Sequence, residues 1–219
     1  MGSALSPLNN PIYKLYNQRK DFSYDLNALD YKKSAEQGDT NAQYTLGVIF
    51  DIQHDYKQAI YWYTKAAEQD NPDSQFNLGM MYNNSEGIPK NYQKAFYWIT
   101  KAAEQDNPDS QFNLGMMYNN SEGIPKNYQK AFYWITKAAE QDNPDAQYTL
   151  AVMYDIRMHV PQNNKKAHYW YTKAAESYEK LAEQGDLESK KTLDWMHSNG
   201  IGTPKNYKKV IYWLKSLLR

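Results

Sequence analysis

Four histidines and a scatter of carboxylates are the residues of this 219-residue chain whose types could do chemistry, and there is no cysteine. His54, His159, His168 and His197 could ligate a metal or carry protons. No two of them have the spacing of a ligand pair, and no His-Glu-x-x-His run occurs. The absence of cysteine removes thiol nucleophiles, disulfides and thiolate-held zinc. No glycine pattern that cradles phosphates is present, nor the GxSxG of a nucleophile elbow. Glu86 and Glu122 read as parts of polar turns. The chain is therefore read as a non-enzyme that needs neither cofactor nor metal. Two Asn-x-Ser matches, Asn83-Asn84-Ser85 and Asn119-Asn120-Ser121, are copies of one Asn-rich turn.

What remains is recognition. Lys+Arg and Asp+Glu both number 25, so the formal charge is zero, which argues against a nucleic-acid or anionic-membrane binder. The lysines beside the alanine pairs, Lys65, Lys101, Lys137 and Lys173, then read as a solvated face. No run approaches the roughly 18 apolar residues of a membrane span, so no membrane insertion is expected. No apolar leader core is visible, and Met1-Gly2-Ser3 reads as a vector-derived start. Cytoplasmic, periplasmic and secreted locations all stay open. Mean hydropathy is −0.91, yet 15% of residues are aromatic and Tyr alone numbers 21. A thin core lined by aromatics reconciles a polar chain with so many rings, which a disordered chain would lack.

The elements that build such a core are repeated. Thr64–Asp109 is identical to Thr100–Asp145 at a spacing of 36. Trp62, Trp98, Trp134 and Trp170 keep that spacing, and Trp213 follows after 43. A small residue lies three before each of the first four (Ala59, Ala95, Ala131, Ala167), and an alanine pair follows four and five after. This predicts a closely packed helix, B, with the Trp as core anchor. Upstream, Leu46, Leu78, Leu114, Leu150 and Leu193 open i, i+3, i+4 patterns that continue into Ile49, Met81, Met117, Met153 and Met196. These predict an amphipathic helix, A, with the Met positions in the core. Asn-Pro-Asp at 71–73, 107–109 and 143–145 signals its start. Gly87 and Gly123 signal its end, and Asn91 and Asn127 can cap helix B. One such pair cannot bury its apolar face alone, but stacked pairs can.

The pattern Gln75-Phe76-Asn77-Leu78-Gly79-Met80-Met81-Tyr82, Gly87-Ile88-Pro89, Lys94-Ala95, Trp98 and Lys101-Ala102-Ala103 resembles the Sel-one-like repeat. That family is related to the tetratricopeptide repeat but has a longer loop between its helices. The resemblance covers roughly residues 22–219. It implies an all-α fold, a right-handed α-α superhelix (a solenoid) of tandem helix-loop-helix repeats. The repeats fall at about 41–72, 73–108, 109–144, 145–187 and 188–219, the last acting as a C-terminal cap with Leu217 and Leu218. Residues 1–9 are expected to be a disordered tag or linker. Residues 10–40 read as a degenerate repeat or cap, with Tyr24 to Glu36 a helix B carrying Asp30 in place of the Trp. The first repeat lacks four loop residues, His159 replaces the loop glycine in the fourth, and about seven residues around Ser177–Glu183 lengthen the fourth B helix. A local change of twist is expected there. Cysteine-rich members of the family staple each repeat with a disulfide. This chain cannot, so no activity suggested for them is carried over.

The resemblance also places the A helices on the concave surface. Their positions opposite the core are then the candidate partner-binding residues: Asn41, Thr45 and Val48; Asp73, Asn77, Met80 and Asn84; Asp109, Asn113, Met116 and Asn120; Thr149 and Val152; Thr192 and Trp195. Ile52, Asp145, Ile156, Glu188 and Asn199 share these rows. Amides can bind an extended peptide backbone, Met adapts to apolar side chains, and Trp is a frequent hot spot. Tyr61, Tyr97, Tyr133, Tyr169 and Tyr212 on helix B read as packing at repeat junctions. The expected function is a non-catalytic scaffold or adaptor for a protein or peptide, in a host-associated bacterium, with self-association possible. A toxin-neutralising partner and a glycan or small-molecule binding module are the alternatives.

Overall fold

The computed structural model describes residues 28–202 apart from residue 122, and leaves the side chain of Asp30 undescribed. The expectations for residues 1–27, and for Tyr212, Trp213, Leu217 and Leu218, lie outside the described residues. Within them are ten α-helices and no strand. They are α1 (Ala28–Glu36), α2 (Thr40–Ile52), α3 (Tyr56–Glu68), α4 (Pro72–Asn84), α5 (Tyr92–Glu104), α6 (Pro108–Asn120), α7 (Tyr128–Glu140), α8 (Pro144–Asp155), α9 (Asn164–Glu183) and α10 (Leu187–Asn199). The even-numbered helices are the A helices and α3, α5, α7 and α9 the B helices. The chain divides into two compact units, Met1–Asn127 and Tyr128–Arg219. In the first unit α1 to α6 pack in chain order; in the second α7 to α10 do the same.

Starts are capped as the sequence predicts. Asn71, Asn107 and Asn143 accept from the backbone N–H of Ser74, Ser110 and Ala146, with Pro at the first helical position. Asn91 caps α5 in the same way, and Asn163 caps α9. The ends differ from expectation. Helices α4 and α6 stop at Ser85 and Ser121, which take left-handed backbone at φ 63° and 65°. Gly87, two residues on, holds a second left-handed turn at φ 69°. A Cβ there would fall on the Cβ of Tyr56, the first residue of α3. The loop glycine is thus a point where one repeat's loop meets the preceding B helix. In the fourth repeat His159 takes the place at φ 63°, and its ring stacks on Tyr128 at 3.4 Å between centroids and 10° between planes.

The five A-helix leucines and the Met81, Met117, Met153 and Met196 series are buried. The tryptophans are less enclosed than predicted. Trp62 is 6% exposed, but Trp98, Trp134 and Trp170 are only half-buried. The deeper side chain is the next one along: Tyr63 is 0% exposed, and Ile99 and Ile135 are buried. Helix A accommodates it with glycine, since a Cβ at Gly79 would lie 2.6 Å from Ile99 Cγ1. Nor do the B-helix tyrosines fill repeat junctions. Tyr61, Tyr97, Tyr133 and Tyr169 are all exposed, each edge-on to the adjacent Trp at about 5 Å. Tyr63, Ile99 and Ile135 lie four residues after the buried Ala59, Ala95 and Ala131 and so share the inner face, while the tyrosine two positions before each points to the opposite side and the Trp lies between them.

Polar residues join the repeats. Gln43, Gln75, Gln111 and Gln147 are buried, and each Nε2 donates to the carbonyl of a residue eight positions earlier: Ala35, Ala67, Ala103 or Ala139. That carbonyl belongs to the last turn of the preceding helix, where it accepts the N–H of the residue three positions on, as Ala67 does from Asp70, and keeps a lone pair for the glutamine. Three of them also accept from the B helix of their own repeat. Gln69 Nε2 donates to Gln43 Oε1 at 2.7 Å, Gln105 Nε2 to Gln75 Oε1 at 2.9 Å, and Ser177 Oγ to Gln147 Oε1 at 2.9 Å. Replacing Gln75 by Leu, similar in volume, leaves the Ala67 carbonyl and the Gln105 amide without this partner. The expected cost is about 2–3 kcal/mol in urea unfolding, more than for Gln105→Leu at the exposed end of the bond.

Helix α9 has 20 residues against 13 in α7. The seven extra residues add two turns, about 10 Å, and return the helix to nearly the same face. The next loop follows that shift. Gly202 approaches the backbone of Tyr171, seven residues beyond the position Tyr128 holds in α7. The extension also recruits Tyr178, whose hydroxyl donates to Asp145 Oδ1 at 2.6 Å. Burial raises the Asp145 carboxyl above its usual range, more than the tyrosine bond lowers it. The folded state then holds the proton to higher pH than the unfolded chain. Stability from this group falls as pH rises from the unfolded value through the folded one. Asp145→Asn, which keeps an acceptor for Tyr178, should flatten that fall in melting curves taken between pH 3 and pH 7.

Candidate functional site

The first unit carries three of the A-helix rows, on α2, α4 and α6. Asn41, Asp73 and Asn120 are exposed, while Thr45, Asn77, Met80, Asn84, Asp109, Asn113 and Met116 are half-buried. Val48 is a correction. It is 0% exposed, in a cluster with Tyr63 and with Leu78 and Met81 of the next repeat, and cannot touch a partner. The row lies against the neighbouring A helix rather than squarely away from the core, so a short β-branched side chain is sealed beneath that helix. Methionine at the same place, Met80 or Met116, is long enough to reach the surface.

Several candidate groups are engaged locally. Thr45 Oγ1 donates to the Asn41 carbonyl at 2.8 Å, and Asn113 Nδ2 to the Asp109 carbonyl at 2.8 Å. Asn84 Nδ2 donates to Glu86 Oε1 at 3.2 Å, and Asp73 Oδ1 accepts from Asn107 Nδ2 at 3.2 Å. Asn77 has no such bond among the described residues, so its amide can both donate to and accept from a peptide group. Asn77 sits one turn from Met80 on α4, and the identical α6 repeats the pair as Asn113 and Met116. The first unit thus offers two amide–thioether pairs.

The second unit carries Thr149 and Val152 on α8 and Thr192 and Trp195 on α10. All but Trp195 are half-buried; Trp195 is 49% exposed, and Ile156 at the end of the α8 row is 64% exposed. Sequence reasoning singled out Trp195 but missed its surroundings. Its ring meets that of Tyr148 at 6.3 Å and 68°, and Tyr148 meets Tyr171 of α9 at 5.5 Å and 60°. Tyr171 donates its hydroxyl to Asp155 Oδ2 at 3.3 Å. Burial, and then the charge of Asp155, push both phenols above their ordinary range, so both rings stay neutral. A signal for this grouping exists in the sequence. Where helix B has Tyr after the Trp, at Tyr63 and Tyr171, helix A has Asp51 or Asp155; where B has Ile99 or Ile135, A has Asn83 or Asn119.

Among the described residues no three His, Asp or Glu side chains converge as metal ligands would, and no helix is long and apolar enough to cross a membrane. His54, His159, His168 and His197 are dispersed, His159 in its ring stack and His197 buried in α10.

The Sel1 repeat model matches residues 41–71, 72–107, 108–143, 144–177 and 195–217. Among solved structures, a Sel1 repeat protein from Oxalobacter formigenes is similar at 30% identity and a TM-score of 0.68, over 86% of this chain and 54% of that one. A protective antigen of uropathogenic Escherichia coli displaying an SLR fold is similar at 32% identity and a TM-score of 0.64, over 87% of this chain and 40% of its own. This chain thus spans about half or less of those two proteins. A Sel1 repeat protein described as from Klebsiella pneumoniae shares the fold at 23% identity and a TM-score of 0.55, over 86% of this chain and 90% of that one. The search of curated proteins finds no match.

Proposed function

Because this chain belongs to the Sel1 repeat family, whose repeats are generally non-catalytic scaffolds for protein–protein interaction, we propose that it docks an extended segment of a partner protein along its A-helix rows. One observation carries the reading: the half-buried pair Asn77 and Met80, repeated as Asn113 and Met116 on an identical helix. An amide beside a thioether suits a peptide in extended form. The amide takes the main chain, and the thioether takes an adjacent apolar side chain without demanding one shape. Repetition at the spacing of successive A helices lets one strand of peptide meet the same chemistry twice, which raises affinity through effective concentration rather than through any single strong contact.

The test is affinity capture with mass spectrometry, using the wild-type chain and a variant with Asn77, Met80, Asn113 and Met116 all changed to Ala. The variant should melt within a few degrees of the wild type, since none of the four is fully buried, and should lose the partner the wild type retains. Recovery of that partner in equal yield would remove these rows as the docking site.

A further inference from the structure

Repeats one and four place the same three residue types at equivalent positions: Tyr44, Asp51 and Tyr63, and Tyr148, Asp155 and Tyr171. In both, the B-helix phenol donates to the A-helix carboxylate, at 3.4 Å and 3.3 Å. Their surroundings differ. In repeat one the set is closed: Tyr63 and Asp51 are buried, and Leu78 and Met81 of the next repeat pack in the same cluster as Tyr63. In repeat four Tyr171 is half-buried and Asp155 exposed. The two added turns of α9 explain the difference. They carry the next A helix, α10, further along α9, so it no longer covers the set as α4 does in repeat one. They also bring Trp195 to its edge, at the position Met80 holds in α4.

We infer that Tyr148, Tyr171, Trp195 and Asp155 form a corner that binds a cationic group, the guanidinium or ammonium of a basic side chain on a docked peptide. The three rings stand at 60° and 68° to one another. Rings so inclined line a corner rather than stack into a slab, and their faces carry the negative quadrupole that attracts a cation. Tyr148, Val152 and Asp155 lie at i, i+4 and i+7 on α8, so the carboxylate stands on the same face as the first ring. With both phenols neutral, the corner has one formal negative charge, and a single monocation balances it. On α10 the acidic residue of the same row, Glu188, is paired with Lys191 at 2.7 Å, which leaves Asp155 as the carboxylate beside the rings.

This inference deepens the docking reading and rests on it for the peptide context, but cation recognition can be measured separately. The full chain is titrated with Nα-acetyl-arginine methylamide, its lysine counterpart, and the neutral citrulline isostere of the arginine probe, while the Trp195 indole N–H is followed by NMR. The arginine or lysine probe should give a saturable shift, with citrulline weaker by about tenfold or more. Trp195→Ala and Asp155→Asn, both at exposed positions, should each weaken the cationic probe by at least about fivefold in the heat of binding, with unchanged melting curves. Asn77→Ala with Asn113→Ala should leave probe binding as it was. Equal binding of citrulline and arginine, no saturable shift, or wild-type affinity in both variants would overturn the cation corner. If those results came with partner capture still sensitive to Asn77 and Asn113, the docking reading would survive without it.

Discussion

Changing Tyr63 to Ala should lower the free energy of unfolding by roughly 3–5 kcal/mol, as deletion of a large ring from a closed core does. The ring is fully enclosed between α2 and α3 and packs with Val48, Leu78 and Met81, so its removal opens a void that three helices border. It also takes a hydroxyl from the buried Asp51. Tyr63→Phe separates the two effects, since it keeps the packing and should cost only about 1 kcal/mol. Trp98→Ala should cost less than Tyr63→Ala, because Trp98 is half-buried and the helix turns its other side to solvent. Chemical denaturation of the three variants gives the order directly. If Trp98→Ala proves the most damaging, the assignment of the deep anchor to the residue after the Trp is wrong.

Gly87→Ala should cost roughly 2–5 kcal/mol, a large effect for one methyl group. The left-handed backbone at φ 69° contributes about 1–2 kcal/mol for any residue with a Cβ. Displacing Tyr56 from the place the new methyl would occupy adds the strain typical of overpacking, about 1–3 kcal/mol. Ser85→Gly, in the same loop and also left-handed, isolates the backbone part: it should be neutral or stabilising, because nothing there depends on the serine Cβ. Thermal melts of the two variants should therefore move in opposite directions or differ by several degrees. His159 shows how the chain manages without the glycine, because there the tyrosine ring has become a stacking partner.

The helices were legible because repetition made each weak local signal count several times. One Asn-Pro-Asp is a hint of a helix start; three at a spacing of 36 place it. The buried leucine and methionine positions followed from the same periodicity. The glutamine contacts were not legible, since Gln is an ordinary surface residue and only the geometry of a preceding helix end gives Gln75 a carbonyl to meet. The tryptophans misled for a related reason. Size marked them as anchors, but a helix face is wider than one residue, and Tyr63 or Ile99 takes the innermost place. At the candidate site, period and spacing put Asn77, Met80 and Trp195 where a partner could reach them. They put Val48 there too, because a row defined on one helix carries no information about the neighbour that covers it. Tyr148 and Asp155 were overlooked because their counterparts in repeat one belong to the interior. Only the lengthened α9 brings such residues into the open.

The glutamine contacts have an evolutionary consequence. Gln75 and Gln111 present the same donor to the same carbonyl, and the stretches on either side of each are identical. Excising residues 64–99 would rejoin Tyr63 to Thr100, a junction chemically the same as the one it replaces. A gene carrying such a sequence can gain or shed a whole module by recombination in a single event, and the shortened or lengthened product inherits seams that already fit. Reach, rather than chemistry, is the property that such an event would change.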